Sequence, residues 1–310
     1  MKKIIICLSL AAVLLACGSA NSDNGTTESN PDQTVTPAVN APINVMSFNI
    51  RYDNPEDGVN NWKNRKDRAA NAIKFYDADI IGAQEVLKNQ LDDLKDRLPG
   101  YVALGVGRED GKEKGEYSAL FFKKDRFSKI ADGYFWLSET PEVAGSKGWD
   151  GACERIATWA RLQDNLTGKS LFVLNTHLDH VGQVARREGI NLIFDKVNEL
   201  RQGAPVIVTG DFNSTPDSDV VKHVTNPADK NHLNDSKSLA NIVYGPSWSW
   251  HDFGELPYDK RPLIDYVFVR GDMDVLRYGV LAETENEEFL SDHAPLLVLS
   301  LIHISEPTRH

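Results

Sequence analysis

An α/β domain built on mixed sheets is the fold class this sequence predicts, and three observations predict it. Between residues 43 and 300, short β-branched runs alternate with only about three long amphipathic stretches. Hairpin-like pairs of apolar segments lie among them, which an all-parallel sheet would lack. No repeat and no internal linker breaks the span, so one domain is expected.

Residues 43–50 form the first expected strand, apolar on both faces as in a sheet covered on both sides, with Asn49 interrupting it near its end. After a polar loop, Ala69, Ala72, Ile73 and Tyr76 mark a helix over residues 65–76. The charge run from Lys63 to Arg68 at its start is expected to be a solvated face. Residues 79–85 form a second buried strand that closes on Gln84 and Glu85. Leu87, Leu91, Leu94 and Leu98 then line one face of a helix ended by Pro99-Gly100. Residues 117–122 and 127–136 are expected to pair across the charged turn Lys123-Lys124-Asp125, and residues 157–162 to pair with 171–176. That last strand runs into His177.

Ile190, Ile193, Val197 and Leu200 stripe a helix over residues 184–201, which tolerates Gly189 at roughly 1 kcal/mol. Residues 206–211 climb to Gly210 and Asp211, with Asn213 two residues on and Pro216 stopping the strand. Residues 219–241 carry a weak signal and are expected to be irregular, with one short helix. Trp248, Trp250 and Phe253 surround His251 in an aromatic-rich segment. Residues 263–269 form a strand with Asp265 inside its apolar run, and Ser291-Asp292-His293 leads into a last strand at 296–299.

The N-terminus reads as an export signal. Met1-Lys2-Lys3 is a positive start, and the apolar stretch after it is too short to span a bilayer. Leu14-Leu15-Ala16-Cys17 matches a bacterial lipobox, so residues 1–16 are expected to be removed and Cys17 to be lipidated. Residues 17–42 are Ser-, Asn-, Thr- and Pro-rich and are expected to be a flexible tether. The domain is expected over 43–301, with 302–310 unassigned. This organisation predicts an exported, lipid-anchored protein of the bacterial cell envelope that meets the membrane through its anchor only. Cys153 would be the sole remaining thiol, which excludes an internal disulfide and a Cys-based metal site. Forty-five acids against 34 bases give a net charge of −11. Such a chain does not hold polyanions by general phosphate neutralisation, so any phosphate must be held locally.

Six strand ends or strand-loop junctions present Asn49, Glu85, His177, Asp211 with Asn213, Asp265, and Asp292-His293. A charge inside a strand is costly unless paired or coordinated. One such group is usually a turn or a satisfied core hydrogen bond. Six sets of oxygen and imidazole donors point to a hard-metal site with histidine acid/base groups.

In order, Phe48-Asn49-Ile50, Gln84-Glu85, Asn175-Thr176-His177, Gly210-Asp211-Phe212-Asn213, Ile264-Asp265-Tyr266 and Ser291-Asp292-His293 resemble the motif set of the endonuclease/exonuclease/phosphatase, or DNase I-like, superfamily. The resemblance covers residues 43–300. It implies a four-layer sandwich of two packed mixed β-sheets flanked by helices, with Mg²⁺- or Mn²⁺-dependent phosphoester hydrolysis. Position by position, it implies Glu85 as the main metal ligand, Asn49 beside it as ligand or water-holder, and Asp292 reaching the metal. Asp211 would orient or deprotonate the attacking water, and Asn213 would bond the phosphate. His293 would act at the scissile phosphate, oriented by Asp265, while His177 serves the leaving group or the phosphorane. Arg155 resembles a phosphate-contacting arginine of one branch. Trp248 and His251 are candidates for the substrate pocket, with Trp250 an alternative stacking platform.

The function expected from the sequence is a monomeric phosphodiesterase acting by in-line water attack. The alternatives are a phosphomonoesterase on a small phosphorylated sugar or inositol, and a non-catalytic module that binds a phosphate ligand. Its partner would be a phosphoester substrate: nucleic acid, phospholipid head group or phosphorylated small molecule.

Overall fold

The structure, a computed structural model, describes residues 41–285 and 288–302. The expected signal, Cys17, the tether up to residue 40 and the tail after Ile302 lie outside the described residues. The chain enters through β1 (Ile43–Asn49), α1 (Trp62–Phe75), β2 (Ile80–Val86), α2 (Lys88–Arg97), β3 (Tyr101–Leu104) and β4 (Tyr117–Lys123). It continues through β5 (Phe127–Trp136), β6 (Ile156–Asp164), β7 (Ser170–His177), α3 (Gln183–Leu200) and β8 (Val206–Asp211). Then come α4 (Asp219–Val224), β9 (Asn234–Asp235), α5 (Ser236–Leu239) and β10 (Ile242–Tyr244). It closes with β11 (Asp265–Arg270), β12 (Met273–Val280), β13 (Thr284–Glu285), β14 (Glu288–Phe289) and β15 (Leu296–Ile302). No helix among the described residues is long and apolar enough to cross a membrane.

Two mixed sheets carry the fold, in the orders β10-β12-β15-β1-β2-β4-β3 and β5-β6-β7-β8-β11-β9. Each holds a parallel pair joined by a helix, β1-α1-β2 in the first and β7-α3-β8 in the second, and β10 also runs parallel to β12 in the first. The two-residue period of each strand sorts its side chains between two cores. Val45, Ile80, Val173, Ile207, Val267 and Val298 face the other sheet. Met46, Phe48, Ile81 and Phe121 face outward onto Ala69, Ile73, Leu91 and Leu94 of α1 and α2. Phe172, Leu174, Val206 and Val208 pack on Ile190, Ile193, Phe194 and Val197 of α3. Three cores between four layers bury both faces of both sheets, the sandwich that the motif set implied.

The inner faces change character along their length. Ile43 and Val45 are apolar, Ser47 is small and polar, and Asn49 ends the row with an amide; β7 repeats this as Leu171, Val173, Asn175 and His177. In β8 the series is Ile207, Thr209, Asp211. The polar band is a clamp between the sheets. Asn175 accepts from Gln84 Nε2 (2.6 Å) and Thr209 Oγ1 (3.0 Å) and donates to the carbonyls of Ala83 and Ala119, each at 2.9 Å. Gly82 is the reason the clamp closes. A Cβ there would lie 1.9 Å from Thr209 Oγ1 and 2.6 Å from Asn175 Oδ1.

Four expectations change. Residues 117–122 and 127–136 do not pair: β4 joins β2 and β3, whereas β5 joins β6 in the other sheet. The charged turn between them is a crossover, pinned where Lys123 and Arg126 both meet Asp79, at 2.9 and 2.6 Å. Arg65 is no solvated helix residue but fully buried, donating to the carbonyls of Asn60 (2.5 Å), Ile50 (2.7 Å), Leu290 (3.0 Å) and Arg51 (3.3 Å). Residues 219–241 contain two short helices and a two-residue strand. Strands β3 and β12 were not foreseen, and in β12 a register shift between Val275 and Arg277 breaks the alternation that would have marked it.

Gly82→Val should therefore destabilise the domain by about 3 kcal/mol or more, since Thr209 and Asn175 are buried and hydrogen-bonded and cannot step aside freely. Urea denaturation would show this as a lower midpoint. An unchanged midpoint would mean the sheets are not clamped here.

Candidate active site

The paired registers deliver the site. His177, Asp211 and Asp265 stand side by side across β7, β8 and β11, and Asn49 ends β1 opposite Gln84 of β2. Glu85 follows at φ 61°, a left-handed conformation that breaks the alternation and coincides with a register shift between β2 and β4. Arg51 (φ 57°) and Asn213 (φ 46°) share that conformation. Each costs on the order of 1–3 kcal/mol, and such strain collects where side-chain aim matters more than stability.

Asn49 lies at the centre. Its Nδ2 donates to Glu85 Oε1 and to Asp211 Oδ2, both at 3.0 Å, and lies 3.4 Å from His293 Nε2. The Arg51 backbone N–H donates to its Oδ1 at 3.0 Å, which fixes the amide with its N–H₂ toward the carboxylates. Asn49 thus bridges the two carboxylates through its amide N–H₂. Asp211 also accepts from the Asn213 N–H at 2.9 Å, with His177 Nε2 3.5 Å and His293 Nε2 3.8 Å from its other oxygen. His293 Nδ1 meets Asp265 Oδ2 at 2.8 Å. Asn213 donates through Nδ2 to His177 Nε2 and to the Leu178 carbonyl, each at 3.0 Å.

Electrostatics sets the two histidines apart. Burial works against a charge on His293, but Asp265, Asp292 and Asp211 outweigh it and hold its pKa well above the ordinary 6.5. Burial, followed by the charges of Arg155 and Arg108, presses His177 well below 6.5. One is an imidazolium, the other a neutral ring. Burial and then the charge of Asp265 push the Asp211 carboxyl up to about 7. Burial, joined by the charge of Glu85, raises Asp292 and Glu116.

So much buried acid in one place is what a cation would relieve. Ligand atoms of Glu85, Asp211 and His293 all lie within 4.8 Å of one another; the two carboxylates suit a hard divalent ion, and the His293 imidazolium borders them. Asp292 stands outside that trio, bonded to Ser291 Oγ at 3.1 Å and 3.8 Å from Arg51. A second group, Cys153, Asp179 and His180, is equally compact. There Asp179 accepts the backbone N–H groups of Ala152, Val181 and Gly182 and has the Arg155 guanidinium 3.6 Å away, so it builds a turn instead.

A pocket of about 650 Å³ opens over these groups. Glu85, His177, Asp211, Asn213, Asp292, His293 and Arg155 all line it. Trp248 and His251 do not. Trp248 is buried against His251 and Tyr258 with Arg261 over its ring, and His251 is buried with Nδ1 accepting the Gly254 N–H. The pocket surface falls to Trp250 instead. Arg51, Arg108, Glu116 and Asp252 also line it and went unforeseen, because each is a lone charge in a loop or at a strand edge with no pattern around it.

The sequence profile described as the Endonuclease/Exonuclease/phosphatase family matches residues 46–293, from β1 to His293 itself. The chain belongs to that family. Members are generally divalent-metal dependent, in keeping with the Glu85–Asp211–His293 group. A solved endonuclease/exonuclease/phosphatase from Bacteroides vulgatus is 43% identical over 84% of this chain and 98% of that one, with a TM-score of 0.81. A mannosyl-6-phosphatase of Bacteroides thetaiotaomicron is 36% identical over 83% of this chain and 99% of that one, with a TM-score of 0.75. Among curated proteins, the 3'-5'-exoribonuclease subunit of the CCR4-Not complex of Mycosarcoma maydis is 22% identical over 90% of this chain. The chain spans about half the length of that relative, 53%.

In the metal-free protein, ring NMR signals of His293 should titrate above the ordinary histidine range. Asp265→Asn should lower that midpoint by about one unit or more. Because the folded-state value lies above the unfolded one, the pair's contribution to stability is complete below pH 6.5 and is lost as pH rises through the raised value. A midpoint unmoved by the substitution would contradict the ion pair.

Proposed function

We propose that this chain is a divalent-metal-dependent phosphomonoesterase acting on a small phosphorylated sugar. The observation that carries the reading is Arg155: it is buried, its Nη1 has no partner, its Nε makes no hydrogen bond and meets only the Asp179 carboxylate at 3.6 Å, and it lines the same pocket as Glu85, Asp211 and His293. A buried guanidinium with unused donors beside an acid cluster suits a substrate phosphate. The ester class is supported by the mannosyl-6-phosphatase, alike along its whole length. The phosphodiesterase expected from the sequence is the second reading; it draws on the curated exoribonuclease, a more distant relative.

A divalent ion would be held by Glu85, with Asp211 in reach, and would supply charge neutralisation at the non-bridging phosphate oxygens. The rest falls to the chain. Asp211, steadied by Asn49 and the Asn213 N–H, orients water for in-line attack and takes its proton. His293, charged and anchored on Asp265, faces the charge that builds on the phosphoryl oxygens. Neutral His177, held by Asn213, hydrogen-bonds the phosphate or the leaving oxygen without adding charge.

Asp211→Ala and His293→Ala should each lower kcat by at least about 10²-fold while the far-UV circular dichroism is kept. Excess EDTA should abolish turnover, and Mg²⁺ or Mn²⁺ should restore it. p-Nitrophenyl phosphate should be preferred over the bis-p-nitrophenyl diester; the reverse preference would restore the diesterase reading, and turnover in EDTA would contradict both.

We also infer that the protein is exported and lipid-anchored at Cys17, as a monomer, since residues 14–17 resemble a lipobox ahead of a polar tether. Cys17→Ser should move it from the membrane fraction to the soluble one, and an unchanged fractionation would contradict the anchor.

A further inference from the structure

We propose that Trp250 and Asp252 form a subsite for the leaving group, one that takes an uncharged pyranose with free hydroxyls. The inference rests on the monoesterase reading for the identity of the substrate, but on its own observations for the subsite.

Both side chains line the catalytic pocket. Trp250 sits beside the reacting groups: it forms an isolated β-bridge with His293, and the two ring centroids are 6.5 Å apart. The Asp252 carboxylate makes no hydrogen bond and no ion pair among the described residues, although the neighbouring acids Asp57, Glu116 and Asp265 are all partnered. It is held there at a cost. Asp252 and Phe253 are consecutive non-glycine residues at φ 50°, and for a ring as bulky as Phe253 that is a true outlier.

The segment around them is over-determined. The N–H groups of His251 and Asp252 both donate to the Asp292 carbonyl, at 2.9 and 3.1 Å. Ser249 and Trp250 both donate to the Pro262 carbonyl, at 2.8 and 3.1 Å, and Ala294 N–H donates to the Ser249 carbonyl at 2.7 Å. The buried His251 accepts the Gly254 N–H at 3.1 Å and closes the turn. Backbone bonds thus tie this segment to the catalytic Asp292-His293 pair, and the strained turn presents an unused carboxylate to the same pocket as the indole.

The chemistry of that pair selects its ligand. An indole face covers the C–H surface of a sugar ring, and a free carboxylate accepts hydrogen bonds from adjacent hydroxyls. A second phosphate beside Asp252 would meet like charge, which disfavours a polynucleotide leaving group. The buried cation Arg155, with Nη1 unpartnered, serves the phosphate. The pocket is divided between an anion and a neutral polyol.

Kinetics and binding test this together. On mannose 6-phosphate relative to glycerol 2-phosphate, Trp250→Ala should reduce kcat/KM preference at least about tenfold, and Asp252→Asn at least about fivefold. Asn is at ease in the left-handed conformation, so the second variant keeps the turn. Saturation-transfer NMR should detect methyl α-D-mannopyranoside on the wild-type protein and lose it in both variants. Equal losses on both esters, or an undiminished sugar signal in the variants, would overturn the subsite. Should the wild type hydrolyse neither monoester, the monoesterase reading fails. The sugar signal then still decides: its presence in the wild type and loss in the variants upholds the subsite, and its absence from the wild type overturns it.

Discussion

One side chain touches a carboxylate from each sheet: Asn49 Nδ2 lies 3.0 Å from Glu85 and 3.0 Å from Asp211. Everything the site does depends on the distance between those sheets. Two buried carboxylates repel, and the burial of each is costly until a cation or a donor intervenes. The fold keeps them together because the apolar inner faces hold the sheets at one end and the Gln84–Asn175–Thr209 clamp holds them nearer the site. Gly82 sets how close that clamp can draw. Stability is gained in the core and part of it is spent at the rim, where Arg51, Glu85 and Asn213 all adopt left-handed backbone.

The same geometry gives each ionisable group its state. His293 is charged because three carboxylates outweigh its burial, and His177 is neutral because burial is reinforced by two arginines. Both rings are buried, so burial alone would have made them alike. Two imidazoles a strand apart can therefore play different parts, one opposing charge on the phosphoryl group and one only hydrogen-bonding. The residue that decides this is Asp265, which reaches His293 because β11 places it in register with Asp211.

Much of this was legible in the sequence, and the reason is the two-residue period. A polar residue at the end of an apolar β-branched run stands out, so Asn49, Glu85, His177, Asp211, Asp265 and His293 could be named and their convergence foreseen. What period alone does not give is which sheet a strand joins. That is why β4 and β5 read as a hairpin although they part company at Asp79. Nor does it work where the backbone is irregular. Trp248 and Trp250 are two apart and would share a face in a strand, yet in this looped segment one is buried and the other lines the pocket. Arg51, Arg108 and Glu116 carry no pattern at all; they become visible only when the loops are folded over the strand ends. Arg65 is the opposite case, a charge within a charged run that turns out to be buried because four carbonyls receive it.

The central claim is that strand ends from two sheets converge on one place for a divalent ion. Anomalous diffraction from crystals soaked in Mn²⁺ tests it directly. The account predicts a principal peak within bonding distance of Glu85 and in reach of Asp211, lost in Glu85→Gln crystals grown the same way. A principal peak at Cys153, Asp179 and His180, or one that persists beside Gln at position 85, would contradict it.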